Sequence, residues 1–338
     1  MKKILGAVLI GIVLMTAGCT LRFEKTKPLV MATLFPQYDF ARWIAEDAIE
    51  LEFLLPRGTS AHAYEPSPRT VVRILNADLL IYTGDAMEPW VNNLIRGSAG
   101  SGLTILDVSK DIDLIGSECD HGHDDDEEDC DDHHHDDNGH GHDEDHDDNG
   151  HDHDDHAHIH DPHIWQDPLN AIQMVESILA ALIELLPEME ATFTANAGGL
   201  IGKLADLHAD YLDLAAKSEL NVIMHGGHNA FGYFANRYGF EYHTPYSGFS
   251  TEDEPTPKQL AHMIDLMEAY DIEVLFSERL IASHVADTIA EATDATILYL
   301  YAAGNIPEQA YQDGTTFIDM MRHNLEKFRI GLRHQEGD

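Results

Sequence analysis

The sequence predicts an α/β fold of two similar parallel-sheet lobes joined by a long α-helix. Short apolar and β-branched segments alternate with helical segments along most of the 338 residues. This alternation is typical of parallel sheets whose two faces are both covered. Residues 169–218 are helical in pattern and separate two halves that repeat similar phrases. Two lobes joined in this way leave a cleft between them, where ligands usually bind.

The first half begins with the strand LVMATLF and a helix from about Pro36 to Ala48. IELEFLLP, DLLIYTG and LTILDVS are the further strands of this half. The helix TVVRILNA precedes DLLIYTG, and Pro68 is its expected start because proline fits the first turn of a helix. The first half therefore contains the strands and helices of one α/β lobe.

The second half repeats the first. VMATLFPQYDFARWIAED corresponds to IMHGGHNAFGYFANRYGF, and YEPSPRTVVRIL corresponds to DEPTPKQLAHMI. In both cases the matching positions lie about 190 residues apart, as Phe40 and Phe234 do. Two matches to a common helix-entry phrase can arise by chance, but the shared spacing and order favour a duplicated lobe.

The two halves are connected by helices. Residues 169–186 form an apolar-periodic helix, and a second helical run continues from Pro187 to about Ser218. Gly198, Gly199 and Gly202 weaken the middle of this second run and allow a kink or a break there.

The N-terminus has the composition of an export signal. Two lysines precede about a dozen apolar residues, and Ala17 and Gly18 stand directly before Cys19. This resembles a lipobox with Thr16 where the pattern prefers Leu, so we expect lipidation of Cys19; cleavage by an ordinary signal peptidase is the alternative. Two or more acyl chains would hold the chain stably at the outer face of the cytoplasmic membrane.

These patterns predict five segments. They are a signal peptide over 1–18, a lipid anchor and spacer over 19–27, an N-terminal lobe over 28–168, helices including the interlobe linker over 169–218, and a C-terminal lobe over 219–338.

An acidic, histidine-rich loop over residues 118–161 interrupts the first lobe. It holds 21 acidic residues, 13 histidines and no Lys or Arg, so it supplies about half of the net charge of −41. Its scarcity of apolar residues predicts disorder. The remaining chain is acidic as well, which argues against nucleic acid or an anionic membrane surface as the partner.

The histidines of this loop favour metal binding over a merely solvated acidic run. Those that we expect to serve as an accessory metal site are His133, His134, His135, His151, His153 and His156. Cys119 and Cys130 lie in the same loop; in an exported protein they could form a disulfide, or they could act as thiolate ligands.

Three histidines outside the loop stand where strands of the lobes meet the cleft. His62 follows the second strand, His163 closes the acidic loop, and His228 lies in the turn after NVIMHGG. The carboxyl ends of parallel strands are the usual ligand site of such sheets. Each histidine alone would more often be structural, but three at equivalent positions favour a shared metal. Ordinary surface positions are expected for His208, His262, His323 and His334, and the sequence identifies no partner for His243 or His284.

Five phrases carry a family resemblance: GTSAHAYEPSP, DPHIWQDP, HNAFGYFANRYGF, TEDEPTPKQL and TTFIDMMRHNLEKF. They resemble, in order and over nearly all the folded chain, the solute-binding proteins of zinc and manganese ABC importers. The resemblance implies two α/β lobes with a metal site in the interlobe cleft. It also implies His62 and His163 as ligands from the first lobe and His228 from the second, with an ABC-type metal permease as the partner of a monomeric receptor.

The sequence departs from the family at the last ligand. Many members have an Asp in a phrase like LDP, whereas this chain has LYLYAAGN with Tyr301 in that place. A protonated phenol is a poor zinc ligand. The fourth position is therefore left open between water, Glu278 and a loop histidine, and Glu278 could equally be structural.

We expect an extracytoplasmic receptor that captures Zn²⁺ for uptake. Three imidazoles suit tetrahedral Zn²⁺ better than Mn²⁺, although they do not exclude Ni²⁺ or Cu²⁺. The alternatives are a zinc buffer or sensor, or a surface adhesin without a permease. A zinc hydrolase is disfavoured because the folded part contains neither HExxH nor GxSxG.

Overall fold

The computed structural model describes residues 27–116, 160–249, 254–280 and 284–335. The signal peptide and Cys19 lie outside these residues. So do Cys119, Cys130 and the six histidines of the expected accessory metal site.

The N-terminal lobe is a parallel sheet with the strand order β2-β1-β3-β4. Its strands are β1 (Leu29–Ala32), β2 (Glu50–Phe53), β3 (Leu79–Tyr82) and β4 (Thr104–Asp107), and its helices are α1 (Phe35–Ala45), α2 (Pro68–Ile74) and α3 (Val91–Gly97). Helix α2 begins at Pro68 as predicted. Ser67 caps it by accepting a hydrogen bond from the main-chain N–H of Thr70.

The C-terminal lobe repeats this topology. Its strands are β5 (Val222–Met224), β6 (Glu241–His243), β7 (Val274–Glu278) and β8 (Thr296–Leu300), and its helices are α6 (Gly232–Tyr238), α7 (Pro257–Ala269), α8 (His284–Thr293), α9 (Glu308–Gln312) and α10 (Phe317–Gly331). β5 pairs with β6 and β7 pairs with β8, all in parallel. A parallel bridge between His225 and Phe276 joins the two pairs. The resulting order β6-β5-β7-β8 corresponds to β2-β1-β3-β4, which confirms the prediction of two similar lobes.

Two long helices, α4 (Pro168–Leu185) and α5 (Glu190–Lys217), connect the lobes. Helix α5 packs on α1 of the first lobe and on α6 and α10 of the second. It is one continuous helix of 28 residues, so the chain does not break at these glycines. A side chain at Gly198, Gly199 or Gly202 would meet open space. The opposite face buries Phe193, Ala197, Leu200, Leu204, Leu207, Tyr211 and Leu214, and this packing outweighs a cost of about 1 kcal/mol per glycine.

One apolar core runs through both lobes. Alternate strand residues such as Val30 and Ile223 face it, and their neighbours face smaller cores under the outer helices. Phe40 of α1 meets Phe317 of α10 edge-on with ring centroids 5.0 Å apart. The lobes are thus held against each other by buried apolar surface as well as by the linking helices.

A short segment after β8, residues 301–306, crosses from the second lobe to the first; we call it the interlobe strap. The main-chain N–H of Phe35 donates to Gly304, and that of Gly58 donates to Ile306, at 3.0 and 3.1 Å. Ala303, at the centre of the strap, has a positive φ of 59°. The carboxyl ends of the strands point towards the cleft, and the strap closes one side of it.

Candidate metal centre

Three imidazole nitrogens from the two lobes meet in the cleft. The Nε2 atom of His163 lies 3.2 Å from Nε2 of His62 and 3.2 Å from Nε2 of His228. Within the part of the chain that the structure describes, these three residues are the one group of this kind whose ligand atoms all lie within 4.8 Å of one another. Zn–N bonds of about 2.0–2.1 Å in a tetrahedral site place two nitrogens about 3.3 Å apart. The spacing therefore fits a zinc ion bound by all three.

His163 is oriented by Asp161. Its Nδ1–H and its main-chain N–H both donate to Oδ1 of Asp161, at 2.8 and 2.9 Å. Burial raises the pKa of Asp161 to about 7, although the hydrogen bond from the His163 main chain acts in the opposite direction. Because Nδ1 carries the proton, Nε2 of His163 presents its lone pair to the cleft.

The position of Asp161 corrects one prediction. We expected 118–161 to be a single disordered loop, but His160 forms an antiparallel bridge with Gly116 and Asp161 is buried. The hydroxyl of Tyr233 donates to the main-chain oxygen of Asp161 and accepts from the N–H of Ile115, both at 3.1 Å. These contacts with helix α6 hold the end of the loop in place. The acidic composition of the loop gives no sign of them.

His228 is oriented in the same way by Glu278. Its Nδ1–H donates to Oε1 of Glu278, and both side chains are buried. Burial by itself would raise the pKa of Glu278, but the adjacent His228, which donates a hydrogen bond to it, holds this pKa below its usual value. Glu278 is thus suited to remain a carboxylate, and Nε2 of His228 presents its lone pair to the cleft.

The imidazoles facing one another are suited to bind a cation. Burial, together with repulsion between the rings, lowers the pKa values of His62 and His163 well below 6.5. Both rings are therefore neutral at pH 7. The Nε2 atoms of His163 and His228 both offer lone pairs, so they cannot hydrogen-bond each other, and a metal ion can bind to both.

The cavity at this point has a volume of about 40 Å³ and is lined by the three histidines, Glu278 and Tyr301, among others. A single water needs about 10–15 Å³ by the same measure, so the cavity holds an ion and a few small ligands. Tyr301 turns its ring edge-on to His323, with centroids 5.1 Å apart. Glu278 does not belong to the 4.8 Å group.

Hydrogen bonds between the lobes hold the interlobe strap against the segment that carries His163. Nε1 of Trp165 and Nε2 of Gln166 both donate to the main-chain oxygen of Ala302 in the strap, at 2.8 and 2.7 Å. A Cβ at Gly304 would lie 3.0 Å from the Trp165 ring. The motif DPHIWQDP thus supplies both His163 and the residues that hold the strap beside it.

Several histidines differ from the sequence predictions. His334 is not an ordinary surface residue, since its buried ring pairs with Asp213 at 3.3 Å. His243 has a partner in Glu241, at 2.6 Å. The sequence analysis gave no role to His225, which directly follows β5 and is fully buried beside the site. Its place at the carboxyl end of a strand was the signal that could have found it.

Comparison with known proteins decides the family. The sequence pattern of the family described as ZnuA, "Zinc-uptake complex component A periplasmic", matches residues 30–331. The chain belongs to the ZnuA family. This confirms the resemblance to solute-binding proteins of zinc importers.

Individual relatives agree with this assignment. The ZnuA-family chain is 30% identical to the high-affinity zinc uptake system protein ZnuA of Bacillus subtilis over 304 residues, which are 90% of this chain and 87% of that protein. It is also 30% identical to the zinc-binding protein AdcA of Streptococcus pyogenes, but it spans only 56% of the length of AdcA. Among solved structures, the metal-dependent lipoprotein YcdH of Bacillus subtilis superposes with a TM-score of 0.71 at 26% identity, over 90% of this chain and 99% of YcdH.

Proposed function

We propose that this chain is an extracytoplasmic receptor that binds Zn²⁺ in the interlobe cleft and delivers it to an ABC-type permease. The observation that carries the proposal is the meeting of the Nε2 atoms of His62, His163 and His228 at 3.2 Å spacing in a cavity of about 40 Å³. The names of the relatives support zinc as the cargo. The site offers a bare ion three imidazole nitrogens from the two lobes in a small cavity.

Glu278 is the protein group that we propose as the fourth ligand. It lines the cavity, is buried and is held as a carboxylate. A carboxylate added to three imidazoles is a donor set that Zn²⁺ accepts readily. The excess of nitrogen over oxygen ligands disfavours Mn²⁺. Water in the fourth position, with Glu278 acting only through His228, is the alternative.

The same cavity argues against a hydrolase. A catalytic zinc site keeps an open position next to room for a substrate. A cavity of about 40 Å³ holds an ion with a few small ligands, which suits a receptor for a bare ion better than a site for a larger substrate. Membership of a transport-receptor family agrees with a binding protein that carries out no reaction.

The remaining parts of the proposal concern the ends and the loop of the chain. Cys19 would be lipidated and hold a monomeric receptor at the outer face of the cytoplasmic membrane. The loop histidines would raise the local zinc concentration without forming the transported site.

A zinc titration with a competing chelator tests the proposal. The full chain is compared with a variant in which residues 117–159 are replaced by an Asn-Gly turn. Such a turn suits the connection because Gly116 and His160 already pair in antiparallel fashion. His228→Ala is made in both backgrounds, and His262→Ala, at an exposed position, is the matched control.

We expect the shortened chain to keep one tight site. Loss of a residue that only supports a metal ligand can cost about 100-fold in affinity. We expect His228→Ala to weaken zinc binding by more than this, and His262→Ala to leave the zinc affinity unchanged. Loss of all tight binding in the shortened chain would instead identify a zinc buffer. Zinc uptake by cells that carry His228→Ala then tests delivery to the permease.

A further inference from the structure

Tyr301, the first residue of the interlobe strap, forms part of the wall of the metal cavity. It directly follows β8 and is partly exposed, so it stands between the cavity and the solvent. β8 pairs with β7 in a register that sets Leu300 opposite Glu278. Tyr301 therefore lies one residue beyond the strand position that pairs with the proposed fourth ligand.

The main chain of Tyr301 is held on both sides by one buried amide. Oδ1 of Asn324 accepts from the main-chain N–H of Tyr301, and Nδ2 of Asn324 donates to its main-chain oxygen, both at 2.8 Å. Asn324 is only 1% exposed. Breaking either bond would leave a buried polar group without this partner, which is costly. Helix α10, which carries Asn324, thus fixes the backbone from which the Tyr301 side chain leaves.

The Tyr301 ring is held by two neighbours. His323 meets it edge-on with ring centroids 5.1 Å apart, and the guanidinium carbon of Arg279 lies over it, 5.6 Å from the ring centroid. A cation within about 6 Å of an aromatic face is attracted to it. Nε2 of His323 in turn donates to the main-chain oxygen of Tyr299 at 3.1 Å. The ring is therefore restrained from turning.

The strap supplies the cavity with space-filling groups rather than with metal ligands. Its other lining residues are Ala302, Ala303, Gly304 and Asn305. The side-chain amide of Asn305 is engaged in hydrogen bonds on both of its polar atoms. The main-chain oxygen of Ala302 accepts two hydrogen bonds from the segment that carries His163. Tyr301 thus adds a large ring to a wall whose polar groups are already in use.

The size of the cavity limits how many ligands a bound ion can have. One water needs about 10–15 Å³, so a cavity of about 40 Å³ leaves room for few ligands beside an ion. The three imidazoles and Glu278 already complete a tetrahedral zinc site. Mn²⁺ prefers an octahedral set of oxygen ligands and would need added waters. Removing the Tyr301 ring from the wall would open space for them.

We propose that Tyr301 is a specificity-determining residue, whose fixed ring keeps added water ligands from the bound ion and so favours four-coordinate Zn²⁺ over Mn²⁺. The ring acts by occupying space and not by coordination. This inference rests on the proposed zinc site and deepens it. The groups that surround metal ligands control the access of solvent, and their loss typically changes metal affinity about 10–100-fold.

The test compares the full chain with Tyr301→Ala and Tyr301→Phe. Tyr299→Ala, which removes a 45% exposed tyrosine from the same strand, is the matched control. Chelator competition measures the Zn²⁺ and Mn²⁺ affinities of each chain, and His228→Ala reports the metal bound elsewhere. We expect Tyr301→Ala to shift the ratio of the two affinities towards Mn²⁺ by about tenfold or more. Tyr301→Phe and Tyr299→Ala should leave the ratio unchanged.

Spectroscopy reports the number of ligands. Four-coordinate Co²⁺ absorbs visible light much more strongly than six-coordinate Co²⁺. After subtraction of the His228→Ala spectrum, we expect strong absorption from the Co²⁺ forms of the unsubstituted chain and of Tyr301→Phe, and weak absorption from Tyr301→Ala. Weak absorption from Tyr301→Phe would identify the hydroxyl as a ligand and overturn the inference. X-ray absorption at zinc in the unsubstituted chain needs no substitution, and a six-coordinate ion there would also overturn it.

Further controls separate this inference from other causes and from the proposed function. Recovery of the original affinity ratio when Arg279→Gln is added to Tyr301→Ala would assign the effect to the released Arg279 charge and overturn the inference. Thermal unfolding of the metal-free variants shows whether they are folded. An unchanged ratio in folded Tyr301→Ala would overturn the inference while the receptor function stands. Absence of tight zinc binding by the unsubstituted chain would overturn both.

Discussion

Asn305 of the interlobe strap donates through Nδ2 to the main-chain oxygen of Thr59 at 2.7 Å. The same nitrogen donates to the main-chain oxygen of Pro56 at 2.8 Å. Thr59 stands three residues before His62, and Asn305 is only 5% exposed. A side chain of the second lobe thus holds the loop that carries a proposed metal ligand of the first lobe.

Replacing Asn305 should loosen this loop. Asn305→Ala leaves the main-chain oxygen of Thr59 without this donor, while that of Pro56 still accepts from the Thr59 hydroxyl. We therefore expect a loss of about 1–3 kcal/mol in the free energy of unfolding and faster release of zinc. Chemical denaturation and stopped-flow chelator exchange measure the two effects. Asn196→Ala is the matched control because Nδ2 of Asn196 also donates to a main-chain oxygen, that of Ile44, on helix α1. Equal zinc release rates in both variants would contradict the prediction.

Gly227→Ala should damage the site through sterics alone. Its methyl group would lie 2.6 Å from Oε1 of Glu278, well inside contact distance. Displacing a residue that supports a metal ligand typically costs about tenfold or more in affinity, and we expect a loss of zinc affinity of this size. Chelator competition measures it. Gly198→Ala meets open space on α5 and should instead stabilise the fold by about 1 kcal/mol without changing zinc binding.

Zinc affinity should decrease as the pH falls below about 7, and Asp161 should cause the decrease. A zinc ion bound to Nε2 of His163 would make the Nδ1–H group a stronger hydrogen-bond donor. This favours the ionised form of the Asp161 carboxyl group. Since the pKa of Asp161 is raised to about 7 in the free protein, binding at lower pH must release one proton. Affinity then falls about tenfold per pH unit.

His62 and His163 contribute little to this slope near neutral pH, because burial lowers the pKa values of both rings well below 6.5. Zinc titrations at a series of pH values with Asp161→Asn separate the carboxyl from other groups. We expect this variant to bind more weakly and with a shallower pH dependence below about pH 7 than the unsubstituted chain; an unchanged slope would assign the proton to another group.

Tyr233→Phe should weaken the base of the acidic loop. Burial raises the pKa of Tyr233 to about 12, so its hydroxyl stays protonated and can donate to Asp161. Loss of the hydroxyl removes the hydrogen bonds of the Ile115 N–H and of the Asp161 main-chain oxygen, at a cost of about 1–3 kcal/mol. We expect faster hydrogen exchange at Asp161 and His163. Tyr238→Phe, which removes the hydroxyl that contacts His208, should leave exchange at these residues unchanged.

Much of the fold follows from local patterns. The strand LVMATLF contains β1, Pro68 starts α2, and repeated phrases 190 residues apart correspond to two sheets of the same strand order. The unbroken helix α5 did not follow from local patterns. Its three glycines weaken the middle of the helix, and the apolar residues along its buried face, which pack on both lobes, keep it continuous.

The sequence by itself determined the class of the site. His62 and His228 follow strands and His163 closes the acidic loop, and parallel sheets bring the carboxyl ends of their strands to one edge. What only the tertiary structure decided is how those rings are held. Asp161 and Glu278 lie far from their partners in the chain or inside a misleading acidic run, so their pairing depends on burial and on distances between lobes. Local composition does not encode these quantities, because hydrogen bonds and pKa shifts of buried groups arise only when distant segments exclude water together.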